Sequence, residues 1–227
     1  PGGQWFPVSP ETMHVFEVAV QVGNRSGGAL DITVGPLVNL WGFGPSKRRD
    51  TLPSEEELKK AMGLTGLQRI RLQNAPPAIW KEKPEVYCDL SAVAKGFGVD
   101  LVSETLLDMG IGSCMVDVGG EVRVIGRKPN GDNWRIGVSV PDASRQAFRV
   151  IDVTDMAMAT SGDYFNYYEV DGKRYSHTID PQTGRPIEHK LASVTVIHQT
   201  CAVADAWATA LDVLGPEKGM ALAEERK

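Results

Sequence analysis

Ala192-Ser-Val-Thr-Val-Ile-His198 leads, across Gln199-Thr200, into Cys201-Ala-Val-Ala-Asp205-Ala-Trp-Ala-Thr209-Ala-Leu211. The first run alternates with period two and is rich in β-branched residues, so it reads as a strand. The second keeps apolar residues at helical spacing and reads as a helix over 201–214, closed by Gly215. Working outward, Gly119-Gly120 and Asp171-Gly172 are hairpin turns, the latter joining Asn166–Val170 to Lys173–His177. Hairpins mixed with long helices indicate an α+β fold with mixed, largely antiparallel sheets and packed helices, not a doubly wound parallel sheet.

Further strands are expected at 67–73, 113–118, 121–126, 134–140 and 148–153. Ser9-Pro10-Glu11 starts a helix running to about Val22, with Ser as N-cap, proline at the first helical position and the Gly27-Gly28 turn as its end. Ser54-Glu-Glu-Glu57 is a capping box, and a helix over 91–109 ends at Gly110. Between these lies a Gly- and Pro-punctuated stretch from Gly35-Pro36 to Pro53, too long for a plain connector and expected to be a functional loop.

Composition narrows the function classes. The 227 residues can bury a substantial core, and 24 Lys+Arg against 29 Asp+Glu give a net charge of −5. With no basic run, a nucleic-acid surface is not expected. No apolar stretch reaches the ~18 residues of a membrane span. Cys88, Cys114 and Cys201 have no CxxC or zinc-ligand spacing, and read as small buried hydrophobes. The ends, Pro1-Gly-Gly and Glu224-Glu-Arg-Lys227, do not look like natural termini, so any targeting signal is expected outside this chain.

Polar groups cluster in a few motifs. Asp205 and Thr209 are four apart on one helix face among alanines, and offer Mg²⁺ hard oxygen ligands with positions left for phosphate. Taken alone, the segment reads better as a solvated Asp and a Thr bonded to its own backbone, and the other polar motifs tip it toward a ligand site. Asp31 follows Gly27-Gly28 and reads as a turn cap or a ligand contact, and Trp41-Gly-Phe-Gly44 as a core plug or an aromatic wall. In Asp89-Leu-Ser91-Ala92-Val-Ala-Lys95-Gly-Phe-Gly98, Ser91 is the expected N-cap of a phosphate-favouring helix start. Lys95 sits one turn in, where a cation is unfavourable unless it meets negative charge. Neither a P-loop nor a dinucleotide-binding glycine motif occurs.

Val118-Gly-Gly-Glu121 is an ordinary hairpin or a ligand edge. Ala159-Thr-Ser-Gly-Asp-Tyr164 reads as a Thr-Ser-Gly turn, suited to phosphate oxygens or simply to a tight bend. Tyr175-Ser-His177-Thr-Ile179-Asp-Pro-Gln-Thr-Gly184 ends a strand at an Asp-Pro turn. There His177 is a general-base candidate, in a more polar setting than His14, His189 or His198.

Together these motifs, from Trp5-Phe-Pro-Val to the last helix, resemble the ApbE-type flavin transferases, the FAD:protein FMN transferase family. The resemblance implies an ApbE-like (T-fold-like) architecture, with residues 1–227 as a single flavin-transferase domain of two intimately packed lobes. It lacks the family's N-terminal Met-Gly-Thr segment and its extreme C-terminus. The implied activity is Mg²⁺-dependent transfer of FMN from FAD to a Thr hydroxyl of a partner protein, such as a subunit of a membrane redox complex, with release of AMP. The resemblance assigns Asp205 and Thr209, with the Ala92 carbonyl, to Mg²⁺. It assigns Ala29, Leu30, Asp31, Asp89, Lys95 and Ile179 to flavin and nucleotide, and His177 to catalysis. It also implies a periplasmic, lipid-anchored protein. An FAD pyrophosphatase giving FMN and AMP, or a non-catalytic flavin-binding module, would use the same residues.

Overall fold

The computed structural model describes residues 2–45, 51–140, 147–162 and 166–226. The chain begins with β1 (Trp5–Pro7) and α1 (Pro10–Arg25). Ser9 caps α1 as expected, its hydroxyl accepting from Thr12 N at 3.1 Å, and the helix buries Met13, Phe16, Ala19 and Val22. It runs one turn beyond Val22, and Gly27 and Gly28 at φ 66° and 84° then reverse the chain. A 3₁₀ turn at Ile32–Val34 leads into α2 (Gly35–Leu40), so the expected loop opens as a short helix. Residues 46–50 of that stretch lie outside the described residues. The Ser54 capping box starts α3 (Glu55–Met62).

β2 (Ile70–Asn74) and β3 (Pro77–Lys81) complete a sheet of order β1-β3-β2. The expected strand at 67–73 thus begins late, because Leu67–Arg69 form a 3₁₀ turn. Then come α4 (Ser91–Asp108), β4 (Cys114–Val118), β5 (Glu121–Ile125), β6 (Trp134–Ser139), β7 (Ala147–Val153) and β8 (Ala157–Gly162). Ser91 is not the N-cap of α4. Leu90 holds that position with no side-chain cap, and the Asp89 carboxylate instead accepts the Ser91 N–H at 2.9 Å.

The Thr-Ser-Gly segment is not a turn either. It is the end of β8, paired from Ala157 to Gly162 with the strong strand at 193–198, and buried apolar residues Ala157–Ala159 anchor it. Asp163 and Tyr164 of that motif lie outside the described residues. The chain closes with β9 (Tyr167–Val170), β10 (Lys173–Ser176), β11 (Ile179–Asp180), β12 (Arg185–Pro186), β13 (Ser193–His198) and α5 (Cys201–Glu225). Gly215 at φ 75° breaks α5 where the sequence ends its helix, and Pro216 opens a second helical stretch.

Every pairing among the described strands is antiparallel. The central sheet has the order β13-β8-β5-β4. On one face α4 packs on β4 and β5, and α5 packs on β8 and β13. The β6–β7 ribbon closes the other face through Val122, Val124, Ile136, Val153 and Met158. This is the α+β architecture the hairpins and helices imply.

Two contacts set the position of α5. Asp100 accepts the N–H groups of Cys201 and Ala202, both at 2.9 Å, and so anchors the helix start from α4. Gly96 faces the Cys201 carbonyl so closely that a Cβ would lie 2.4 Å from its oxygen. Only glycine allows this crossing without displacement.

Candidate functional site

The close crossing of α4 and α5 makes the central contact of the site. Asp205 is buried on the α5 face toward α4, and its Oδ2 accepts the Gly96 N–H at 3.0 Å. In a regular helix that N–H serves the Ala92 carbonyl, so the two acceptors compete for one donor. Burial raises the Asp205 pKa to about 6, and the Glu121 carboxylate pushes the same way. The Gly96 bond and Lys95 oppose them. Thr209, one turn further along α5, is half-buried, and its hydroxyl makes no hydrogen bond among the described residues.

Lys95 meets the negative charge its position demands, but that charge is internal. Its Nζ stands 2.7 Å from Oε2 of Glu121, a side chain all but excluded from water, while Lys95 itself is half exposed. The contact is an ion pair without hydrogen-bond alignment, for Oε2 has no hydrogen-bond partner among the described residues. Asp89 lies at the start of the same helix, its carboxylate engaged by Ser91.

Across from these helices, Ala29, Leu30 and Asp31 are buried in the turn after α1. Asp31 does cap: its Oδ1 accepts the Thr33 N–H at 2.8 Å and the Thr33 hydroxyl at 2.6 Å. Burial raises its pKa, and these hydrogen bonds pull it back. Trp41 is a core residue whose indole N–H reaches the Gly184 carbonyl at 2.8 Å, whereas Phe43 stacks on Tyr168 with centroids 5.1 Å apart. The plug and the wall are thus both present, in different rings.

His177 lies between β10 and β11, edge-on to Phe43 at 6.3 Å. Its Nδ1 is 3.1 Å from the Asn166 carbonyl, so Nδ1 carries the proton and Nε2 is the basic nitrogen. Ile179, two residues on, is buried.

All ten residues expected from the sequence line one cleft of about 700 Å³: Ala29, Leu30 and Asp31 from the turn, Asp89, Ala92 and Lys95 from the α4 start, His177 and Ile179 from the β10–β11 segment, Asp205 and Thr209 from α5. The cleft has room for a large ligand. Among the described residues no three His, Cys, Asp or Glu gather as a metal cluster. A cation at Asp205 would have that carboxylate and neutral oxygens such as the Thr209 hydroxyl, a hard donor set that suits Mg²⁺ with phosphate or water completing the shell.

The ApbE family profile matches residues 1–227. The chain belongs to the ApbE family. It is 47% identical over 220 residues to the FAD:protein FMN transferase of Vibrio cholerae serotype O1, covering 96% of this chain and 65% of that protein. Against the FAD:protein FMN transferase of Escherichia coli K12 it is 44% identical over 216 residues, covering 94% and 62%. The solved flavin transferase ApbE from Vibrio cholerae superposes with a TM-score of 0.89 at 45% identity, over 99% of this chain and 71% of that one. The chain therefore spans less than two thirds of the length of the curated relatives it matches.

Sequence reasoning passed over one residue of the ApbE-family cleft wall, Glu121, and one behind it, Asp212, which meets the wall residues Ser161 and Thr178. Glu121 was legible only as one reading of a hairpin, yet it is buried in the cleft wall beside Lys95. Asp212 lies on the Asp205–Thr209 face at the next helical step, fully buried, with the Ser161 and Thr178 hydroxyls at 3.3 and 3.4 Å. Its i+7 spacing from Asp205 was the available signal.

Proposed function

We propose that this chain carries out Mg²⁺-dependent transfer of FMN from FAD to a Thr hydroxyl of a partner protein, releasing AMP. The observation that carries the reading is the convergence of buried Asp205, Thr209, the Ala92 turn, Lys95 and His177 on one cleft, in a chain of the ApbE family. The name its relatives carry, FAD:protein FMN transferase, supports it.

FAD is the substrate that fills the cleft, its rings against Phe43 and the 29–32 turn, its pyrophosphate near the α4 start. Asp205, Thr209 and the Ala92 carbonyl would hold Mg²⁺, which when bound supplies Lewis-acid neutralisation of the pyrophosphate. The competition for the Gly96 N–H fits this role, because a carbonyl that shares its donor keeps capacity to accept a cation. Lys95 and the α4 start add positive potential toward the phosphates. The acceptor oxygen forms a bond to the FMN-side phosphorus as the anhydride bond to AMP breaks. The hydroxyl proton passes to His177 Nε2, and AMP leaves with the bridging oxygen. The acceptors fitting this chemistry are proteins with an accessible Thr, such as subunits of membrane redox complexes. The reading places the full-length protein in the periplasm, lipid-anchored to the membrane.

The test is product analysis with FAD, Mg²⁺ and a candidate acceptor. AMP with flavin-labelled protein supports transfer, AMP with free FMN indicates a pyrophosphatase, and intact FAD indicates a binding module.

A further inference from the structure

Beside the cleft lies a second cavity of about 370 Å³, between the β4–β5 turn, β6 and the end of β8. Lys95, Glu121, Thr160 and Gly162 belong to the walls of both. The pairing of β8 explains the opening. Toward β13 it is paired from Ala157 to Gly162, but toward β5 only Ala157 and Met158 are paired. Ala159 beyond them is fully buried, and from Thr160 to Gly162 the β5-side edge carries no strand among the described residues. The chain that would cover it turns away at Gly119 and Gly120, at φ 65° and 99°.

We propose that this second cavity receives the acceptor protein as an extended segment. It adds to the free edge of β8 at Thr160–Gly162 and delivers its Thr hydroxyl past the Lys95–Glu121 pair into the FAD cleft. The proposal rests on the transferase reading above. In phosphoryl-type transfer the attacking and leaving oxygens stand roughly in line, so acceptor and FAD need separate entrances that meet at one phosphorus. Two cavities sharing four wall residues provide such a meeting point. An unpaired strand edge takes up an extended peptide through main-chain hydrogen bonds, which demand little of its sequence. Gly119, Gly120, Gly137 and Ser139 give the cavity small walls that let a main chain approach and leave little room for bulky side chains. Buried Glu121, with Oε2 lacking a hydrogen bond, has the capacity to accept one from the passing hydroxyl or amide.

The experiment uses the full chain with FAD and Mg²⁺, and as probe a nine-residue peptide of Gly, Ala and Ser with one central Thr. Amide hydrogen exchange at 160–162 is expected to slow at least tenfold with millimolar peptide. Ser139→Trp, at an exposed lip position, is expected to erase that protection. It should also raise the peptide KM at least tenfold, with FAD affinity within twofold of the parent and Ser139→Ala behaving as the parent. Protection without any FMN transfer would leave the docking site standing and sink the transferase reading. Transfer without protection at 160–162, or transfer indifferent to Ser139→Trp, would overturn the docking site and leave the reading intact. Neither protection nor transfer overturns the docking site. Protection that grows with protein concentration and needs no peptide would place a second copy on this edge and overturn the proposal.

Discussion

At the scale of the residue, the carboxylate of Asp205 carries the heaviest burden. Burial holds its pKa near 6, well above the ~3.9 of an exposed Asp. Between those values the folded chain binds the proton and the unfolded chain does not, so metal-free stability falls as pH rises through that window. Asp205→Asn keeps an acceptor for the Gly96 N–H and removes the charge. With chelator present it is expected to exceed the parent in stability at pH 7 by on the order of 2 kcal/mol, and to match it below pH 4. Urea unfolding at both pH values decides this, and a gap that ignores pH would refute it. Added Mg²⁺ should then stabilise the parent and leave Asp205→Asn unmoved.

The Lys95–Glu121 pair allows a separation of structure from binding. Lys95→Met strands a buried carboxylate and should cost stability, because an uncompensated buried charge is expensive. The double variant Lys95→Met with Glu121→Gln should recover most of that loss. If Lys95 also serves phosphate, neither variant recovers FAD affinity, while riboflavin, which has no pyrophosphate, binds both nearly as it binds the parent. Calorimetric titration of both ligands reads the difference. Equal weakening of FAD and riboflavin would make Lys95 a purely structural cation.

At the scale of elements, the crossing of α4 and α5 is the part most sensitive to a single methyl group. Gly96→Ala puts a Cβ within 2.4 Å of the Cys201 oxygen and 2.9 Å of the Ala202 Cα, both backbone atoms that cannot rotate away. The helices must separate, at a cost of about 1–3 kcal/mol typical of overpacking. The Asp205 anchor lengthens with them, so Mg²⁺ affinity should fall alongside the urea midpoint. A drop in stability with unchanged metal affinity would break the proposed link between the crossing and the site.

Elements also show what the sequence discloses. Ser9, Ser54 and Gly215 act through neighbours within a turn, so their roles could be read directly. β1 and β3 are short and carry Pro7 and Pro77, which suit strand ends but hide the pattern. Thr160-Ser161-Gly162 has turn chemistry and becomes strand because β13 pairs with it throughout, a tertiary decision no local window holds. The same reason hid the partner of Lys95. Its motif predicts a meeting with negative charge, but only the fold brings Glu121 from another element to meet it.

At the scale of the whole molecule, the cleft exists only where distant segments meet: the turn after α1, the α4 start, the β10–β11 segment and the α5 face. All four were marked by polar motifs, which is why the candidate site was more legible than the sheet that holds it. The proposed division of labour among them can be tested at His177, which contributes to the cleft from outside the α4–α5 pair. If it handles the acceptor's proton, His177→Ala should slow transfer by roughly 10²–10⁴-fold, the range of general base catalysis. FAD and Mg²⁺ affinities should stay near those of the parent, because the cation donors and the α4 start are untouched. The dependence of the parent's rate on a single deprotonated base should also vanish from the variant's pH profile. Single-turnover transfer with FAD saturating separates these quantities. A defect fully explained by weaker FAD binding would assign His177 to holding substrate beside Phe43, and an unchanged rate would leave the proton to water.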